Sequence, residues 1–245
     1  MPMNIKLILN ISILIFKMIQ VPVLSKIDSI FEYAHDEKGR PTGKTYDKLS
    51  SSLIECNPIT FKVTAKMDGT CCYIKDGAIY ARQDVKHSIT NAPVDWFQTS
   101  ELDANNHIIG FRPLKKGDKW HFKAIDADNS KATFLEYNSE TNTFHYNIRS
   151  ISDFNGKTAE LVGPSVNGNK HKLEKNAYII HGSIEVTTLW HSHEVLKNWL
   201  ETDGIMYEGI VIHDVGNNTL YKCHRGHLEL PWNGYTLPVQ PVQPA

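Results

Sequence analysis

The sequence predicts an α+β fold dominated by antiparallel sheets, and three observations lead there. Alternating or β-branched runs that stop at turn residues occupy Phe61 to Arg82, Lys157 to Gly163 and Glu208 to Arg225, the pattern of half-buried strands. Helical spacing of apolar residues is confined to short stretches, around Thr45 to Ser51 and from His193 to Leu200, where Val195, Leu196, Trp199 and Leu200 share a face. No internal repeat and no Gly/Ser linker divides the 245 residues, a length at which one folded core buries roughly 70% of the surface of the unfolded chain.

The ends read differently from the middle. Ile5 to Phe16 is strongly apolar, yet shorter than the about 20 residues needed to span a bilayer. Lys17 to Gln20 offers no small-residue cleavage pattern, so an N-terminal helix or edge strand is expected and no membrane segment. Leu237 to Ala245 carries a Pro at every third residue, which predicts a mobile polyproline-like tail. The organisation expected is therefore an apolar segment over 1–15, one domain over 16–236 and a tail over 237–245, with turns at Lys115 to Asp118, Asn129 to Lys131 and Asn138 to Asn142.

Composition narrows the classes. The 26 Lys+Arg against 27 Asp+Glu give a net charge of −1, which argues against coating nucleic acid non-specifically, since such binding rests on many cations releasing counterions. The four cysteines, Cys56, Cys71, Cys72 and Cys223, form no C-x-x-C pair, so no sequence-local zinc knuckle or redox motif is expected and an intracellular, reducing setting, cytoplasm or nucleus, fits best. His191 and His193 form one H-x-H without a third ligand nearby.

Chemistry concentrates in three places. In Phe61-Lys62-Val63-Thr64-Ala65-Lys66-Met67-Asp68-Gly69 the alternation puts Lys62, Thr64 and Lys66 on one strand face, and Asp68-Gly69 ends the strand just after the lysine. Asp76-Gly77 is a two-residue hairpin signal. Counting back from it pairs Ile74 with Ile79, Tyr73 with Tyr80 and Cys71 with Arg82, which carries Arg82 toward Lys66. Two cations held together call for an anion, and a phosphate is the natural guest. Glu160 ends a second strand before Gly163-Pro164, and Glu208 opens a third. A three-residue loop at Gly216 to Asn218 would pair Ile212 with Lys222 and put Lys222, His224 and Glu208 on one face. A two- or four-residue loop would turn Lys222 to the other.

In this order the pieces resemble the motifs of the covalent nucleotidyltransferases, which comprise ATP-dependent ligases and mRNA capping guanylyltransferases. Lys66-Met67-Asp68-Gly69 resembles motif I, the run ending at Glu160 motif III, Glu208-Gly209-Ile210-Val211 motif IV, and Lys222 the first lysine of motif V. The longer words KMDGTCCY, YARQD, ELVGPSVNGNKH, IIHGS, EGIVIH and YKCHRGHL are similar to the ATP-dependent RNA ligase 1 family, over roughly Phe16 to Trp232. The resemblance implies a single adenylyltransferase domain, ATP-grasp-like, of twisted antiparallel sheets flanked by helices. About 20 residues follow Arg225, so no OB-fold domain is expected after the last motif.

The resemblance also assigns roles. Lys66 is implied as the nucleophile that forms lysyl-AMP, with Lys222 at the α-phosphate, Arg82 at the ribose or phosphate, Glu160 at the ribose and Thr64 beside the nucleotide. Glu208 is implied as a ligand of Mg²⁺ or Mn²⁺, with Glu101 as a further acid. An adenine-stacking residue is sought from Tyr178 to Ile180, with Ile180 put forward, and the second motif V cation is either His224 or Arg225. The activity implied is ATP-dependent 5′-3′ ligation of RNA carrying 5′-phosphate and 3′-hydroxyl ends, in RNA repair, by a monomer. The alternatives are a GTP-using capping guanylyltransferase and a catalytically silent nucleotide- or RNA-binding module. An ordinary lysine is protonated at neutral pH, so a divalent ion together with Lys222 and Arg82 is expected to lower the Lys66 pKa. Lys115 to Lys119 and Lys170 to Lys175, with Arg225 and His227, are candidates for tracking an RNA backbone.

Overall fold

A computed structural model describes residues 22–54, 61–86, 88–103 and 106–241. The apolar run Ile5 to Phe16, Cys56 and residues 242–245 lie outside them. Strands β1 (Asp28–Ser29), β2 (Phe31–His35) and β3 (Pro41–Leu49) precede a short helix, α1 (Ser51–Ile54). There follow β4 (Phe61–Lys66), β5 (Thr70–Lys75), β6 (Ala78–Arg82), β7 (Val85–Lys86), β8 (Phe97–Gln98), β9 (His107–Ile108) and β10 (Gly110–Pro113). Helix α2 (Lys119–Phe122) leads into β11 (Lys131–Asn138), β12 (Thr143–Ser150), β13 (Thr158–Val162) and β14 (Ala177–Ile180). Helix α3 (His193–Glu201) leads into β15 (Gly209–Asp214) and β16 (Thr219–His224). No helix among the described residues is long and apolar enough to cross a membrane.

Two sheets organise the molecule. One runs β1-β16-β15-β4 and the other β12-β11-β14-β13-β5-β6-β10-β8, antiparallel except at β1–β16 and β11–β14. The α+β class expected from the sequence holds. Alternation sorts each strand between a core face and a polar face. Phe61, Val63 and Ala65 of β4 pack with buried Ile210 and Ile212 and with Leu196, Trp199 and Leu200 of α3. Each such large side chain, once fully buried, contributes about 1.5–3 kcal/mol. Cys72, Ile74, Leu161 and Tyr178 build a second core on the larger sheet. Helix α3 begins where Ser192 Oγ accepts from Val195 N (3.3 Å), an N-cap that satisfies one of the free amides of the first turn.

The β5–β6 hairpin has the expected register, with Tyr73 opposite Tyr80 and Ile74 opposite Ile79. Asp76 (φ 52°) and Gly77 (φ 71°) both take the left-handed conformation that a twisted two-residue hairpin turn requires. The β15–β16 hairpin takes the four-residue alternative rather than the three-residue one. Asp214 pairs with Thr219 and Val211 with Lys222, so the loop has four residues and Lys222 shares a face with Val211, not with Ile212. Asp214 fixes this by accepting from Asn217 N (3.3 Å) and Asn217 Nδ2 (2.7 Å), which leaves Val215 in the turn. The helix expected around Thr45 to Ser51 is corrected. Residues 41–49 are strand β3, pairing with β2, and only Ser51–Ile54 is helical. Thr42, Thr45 and Tyr46 favour a pleated backbone once a partner strand is present.

The described part of the Pro-rich end, residues 237–241, docks where a mobile tail was expected. Leu237 is buried, Phe144 N donates to the Pro238 carbonyl (3.0 Å), and Gln240 N donates to the Phe144 carbonyl (2.8 Å). The prolines lack donors, but their carbonyls and the amides between them still complete an edge.

Two predictions follow from this packing. A Cβ at position 69 would collide with the Leu161 carbonyl oxygen and Glu160 Cγ, so Gly69→Ala should lower the unfolding free energy by about 1–3 kcal/mol, the scale of overpacking, and with it the urea midpoint; an unchanged midpoint would show that β5 and β13 can part without cost. Burial holds His121, His171 and His227 down to about 4 and His213 and His224 to about 3. Below the ordinary histidine value the unfolded chain takes up protons that the folded chain refuses, so stability should fall as pH drops from about 6.5 toward 4. A denaturation midpoint flat across that window would contradict it.

Candidate active site

Strand β4 belongs to the smaller sheet and β5 to the larger, so Met67-Asp68-Gly69 carries the chain from one sheet to the other. The crossing opens a cleft of about 300 Å³, at the lower end of small-molecule pocket volumes. Lys66, Arg82, Glu160 and Lys222 all line it. Residues that lie 156 positions apart in the chain, Lys66 and Lys222, are brought together by the pairings Lys66 with Gly209, Gly209 with His224 and Val211 with Lys222.

Lys66 Nζ donates to Glu208 Oε2 in a close ion pair, with both side chains largely withdrawn from solvent. Burial alone would lower the Lys66 pKa, but Glu208, then Glu160 and Asp68, outweigh it and hold the amine above its ordinary value. The raised value arises because Glu208, one residue before β15, reaches Nζ itself; the lowering expected from the sequence belongs to the site with a divalent ion in it. Burial pushes the Glu208 carboxyl upward, and the Lys66 ammonium holds it back. Lys222 takes the depressed value instead, lowered first by burial and then by Lys66 and Arg82. Its ammonium has no ion-pair partner among the described residues. Arg82 is held by Asp84, with Nε and Nη2 donating at 2.8 and 3.1 Å.

Glu160 does not stand alone. Its Oε2 lies 2.7 Å from His181 Nε2, and His181 Nδ1 lies 3.0 Å from Thr158 Oγ1. Thr158 Oγ1 already accepts from Val23 N (2.8 Å), so its own proton is free for Nδ1, which makes Nε2–H the donor to Glu160. Thr64 lines the cleft with its hydroxyl committed to His213 Nε2 (2.9 Å). Asp68 is held at its amide and at both carboxylate oxygens: its N–H donates to His171 Nε2 (2.9 Å), and its carboxylate accepts from Asn167 Nδ2 (2.8 Å) and Trp232 Nε1 (2.8 Å). Cys71 also lines the cleft, its thiol pushed up to about 12 by burial and then by Glu160.

Other candidates lie elsewhere. Glu101 is exposed and outside the residues lining the cleft. Ile180 lines a separate cavity of about 500 Å³ with Phe134, Tyr137 and Phe154. It is separated from the cleft because it alternates with Ile179, which pairs with Glu160. Arg225 is buried, its guanidinium donating to the carbonyls of Leu200, Ile205 and Tyr207. His224 packs against His227 with ring centroids 3.7 Å apart and is held neutral at ordinary pH by burial. Neither presents a charge beside Lys222. His181, His171, His213 and Asn167 lie inside words that carried the resemblance but were given no role there, because a lone histidine or asparagine does not by itself declare its chemistry. Val23, Lys26 and Ile27 form a further wall of the cleft that no sequence signal marked.

The chain that builds this cleft has relatives among known proteins. A profile of RNA ligase 1 matches residues 97–243, more than half of the chain. RNA ligase 1 of Pongo abelii is 30% identical over 238 residues, covering 76% of this chain and 73% of that protein. The RNA ligase 1 proteins of Rattus norvegicus and Mus musculus are each 28% identical over 238 residues, covering 76% of this chain and 73% and 72% of theirs. On the strength of these matches, the chain belongs to the RNA ligase 1 family.

Proposed function

We propose that this protein is an ATP-dependent 5′-3′ RNA ligase that works through a lysyl-AMP intermediate on Lys66, acting as a monomer in RNA repair in the cytoplasm or nucleus. The observation that carries the proposal is Lys66 Nζ held on the cleft face between Glu208 and the cations Lys222 and Arg82. In the first step Nζ bonds to the α-phosphorus of ATP, the bond from that phosphorus to the bridging oxygen breaks, pyrophosphate leaves with the electron pair, and Nζ gives up its proton. AMP then passes to an RNA 5′-phosphate. Finally a 3′-hydroxyl attacks that phosphate, and AMP departs.

Each residue has a task in the first step. The ammonium form of Lys66 is favoured by Glu208, Glu160 and Asp68, so attack requires this hold to weaken. Lys222 and Arg82 place positive charge beside Nζ and act in that direction. The same two cations stabilise charge on the transferring phosphoryl group. Glu160, oriented by His181, faces the cleft as an acceptor for a nucleotide hydroxyl.

A divalent ion of the Mg²⁺ or Mn²⁺ kind fits as a visitor that arrives with substrate. No group of three His, Cys, Asp or Glu gathers as a ready cage among the described residues, and Mg²⁺ commonly takes one or two carboxylates completed by phosphate oxygens and water. Glu208 would hold it, and it would neutralise phosphate charge there.

Incubation with α-labelled ATP or GTP followed by denaturing electrophoresis tests the reading. Label from ATP, absent in Lys66→Ala, is expected. Label from GTP alone would transfer the protein to capping chemistry, and none from either nucleotide in folded protein not already adenylylated would leave a silent binding module. Lys222→Ala should keep the fold and slow labelling by about 100- to 1000-fold, the usual effect of removing one donor to a developing oxyanion. Labelling at the wild-type rate would remove Lys222 from the phosphate.

A further inference from the structure

The segment from Lys115 to Lys123 is basic and aromatic at once, and the fold presents it outward. Lys115, Lys116, Lys119 and Lys123 are exposed, as are Trp120 (47%) and Phe122 (42%), while His121 between the two rings is buried. None of the four lysines has an ion-pair partner among the described residues, and only Lys123 makes a side-chain hydrogen bond, to Ser165 Oγ (2.8 Å). Asp118, the acid within the run, is already neutralised by Arg112, whose Nη1 and Nη2 donate at 2.6 and 2.8 Å. The next acids along the chain turn back on their own loop, Asp126 accepting from Lys131 N and Asp128 from Ser130. The patch is left with four positive charges around two aromatic faces.

It is also fixed in place. His121 Nδ1 lies 3.0 Å from Tyr178 Oη, and Asn176 Nδ2 donates to the Trp120 carbonyl (2.8 Å). Ser165 and Asn176 belong to the connection between β13 and β14, and the same connection grips the turn after Lys66 through Asn167 and His171. One loop therefore joins the patch to the floor of the cleft. Phosphates matched to lysines and bases stacked on exposed rings is how single-stranded nucleic acid is held, whereas a duplex hides its base faces.

We propose that α2 and the basic turn before it dock a single strand of the RNA whose end enters the cleft, an inference that rests on the RNA ligase reading above. Trp120 and Phe122 stack on bases, and Lys115, Lys116 and Lys119 follow the phosphates.

The test uses the full chain with a labelled 5′-phosphorylated single-stranded oligoribonucleotide and the same strand in a blunt duplex. Trp120→Ala and Phe122→Ala, at exposed sites, should each weaken single-strand binding roughly 5- to 150-fold, with Trp120→Phe restoring most of it. The triple variant K115S/K116S/K119S should reduce the slope of log affinity against log salt by about 2, three phosphate contacts at about 0.7 each. Labelling from α-labelled ATP needs no RNA and should stay at the wild-type level in all of them. Wild-type affinity and slope in the variants would overturn the proposal while leaving the ligase reading intact. So would duplex bound more tightly than single strand, or labelling lost in step with RNA binding, which marks a merely structural role. Wild-type protein that takes no label at all would bring down the ligase reading and this platform with it.

Discussion

The close approach of Gly69 to β13 is the constraint on which the site depends. Lys66 ends a strand of one sheet and Glu160 sits in a strand of the other, and the chain passes between them in three residues. That passage works only if the backbone of β5 begins directly against the Leu161 carbonyl, where a side chain would not fit. Leu161 then pairs with Thr70 and Glu160 with Cys71, which fixes how far Glu160 stands from the lysine. Asp68, pinned by His171, Asn167 and Trp232, keeps the passage from relaxing. Residues about 100 to 160 positions downstream thus determine where a lysine at position 66 points.

The charges are arranged unequally around that passage. Lys66 has a carboxylate in contact and holds its proton firmly, whereas Lys222, half-buried and without an acid of its own, holds its proton less firmly than an ordinary lysine. A withdrawn cation without a counter-ion is unfavourable until an anion arrives. Under the mechanism proposed above, the anion that relieves Lys222 would be the one that Lys66 attacks, so that substrate binding and relief of the site's own repulsion would be the same event. Functional sites commonly carry such stability costs.

Much of this was legible in the sequence, for reasons that can be named. Arg82 beside Lys66 follows from period 2 and from Asp76-Gly77, whereas Glu160 and Lys222 were joined to them through the resemblance of their words to a known family. Face and register at β15–β16 were not legible, because one residue, Val215, decides between strand and turn, and its partner Asp214 acts through hydrogen bonds that no spacing reveals. Thr45 to Ser51 read as helix because β3 is exposed along nearly its whole length and shifts register against β2, which erases the alternation of a regular strand. The long hairpin β11–β12 escaped for a different reason: adjacent Phe134 and Leu135 are both buried, which blurs the alternation. Arg225 next to Lys222 and His224 looks like a site cation in one dimension. In three dimensions its planar fork closes off the carbonyls around the end of α3, a task for which its geometry suits it better than a lysine would.

Cys71 stands in the wall of the cleft, a place where a reactive thiol would be a liability. Only the thiolate attacks electrophiles or peroxide, and with its proton held up to about 12 the ionised fraction at neutral pH is on the order of one in 10⁴ to 10⁵. The carboxylate of Glu160, which raises the Cys71 value after burial does, therefore has a second consequence. After burial, which acts first, it helps to keep a thiol that lines the cleft in its protonated, less reactive form.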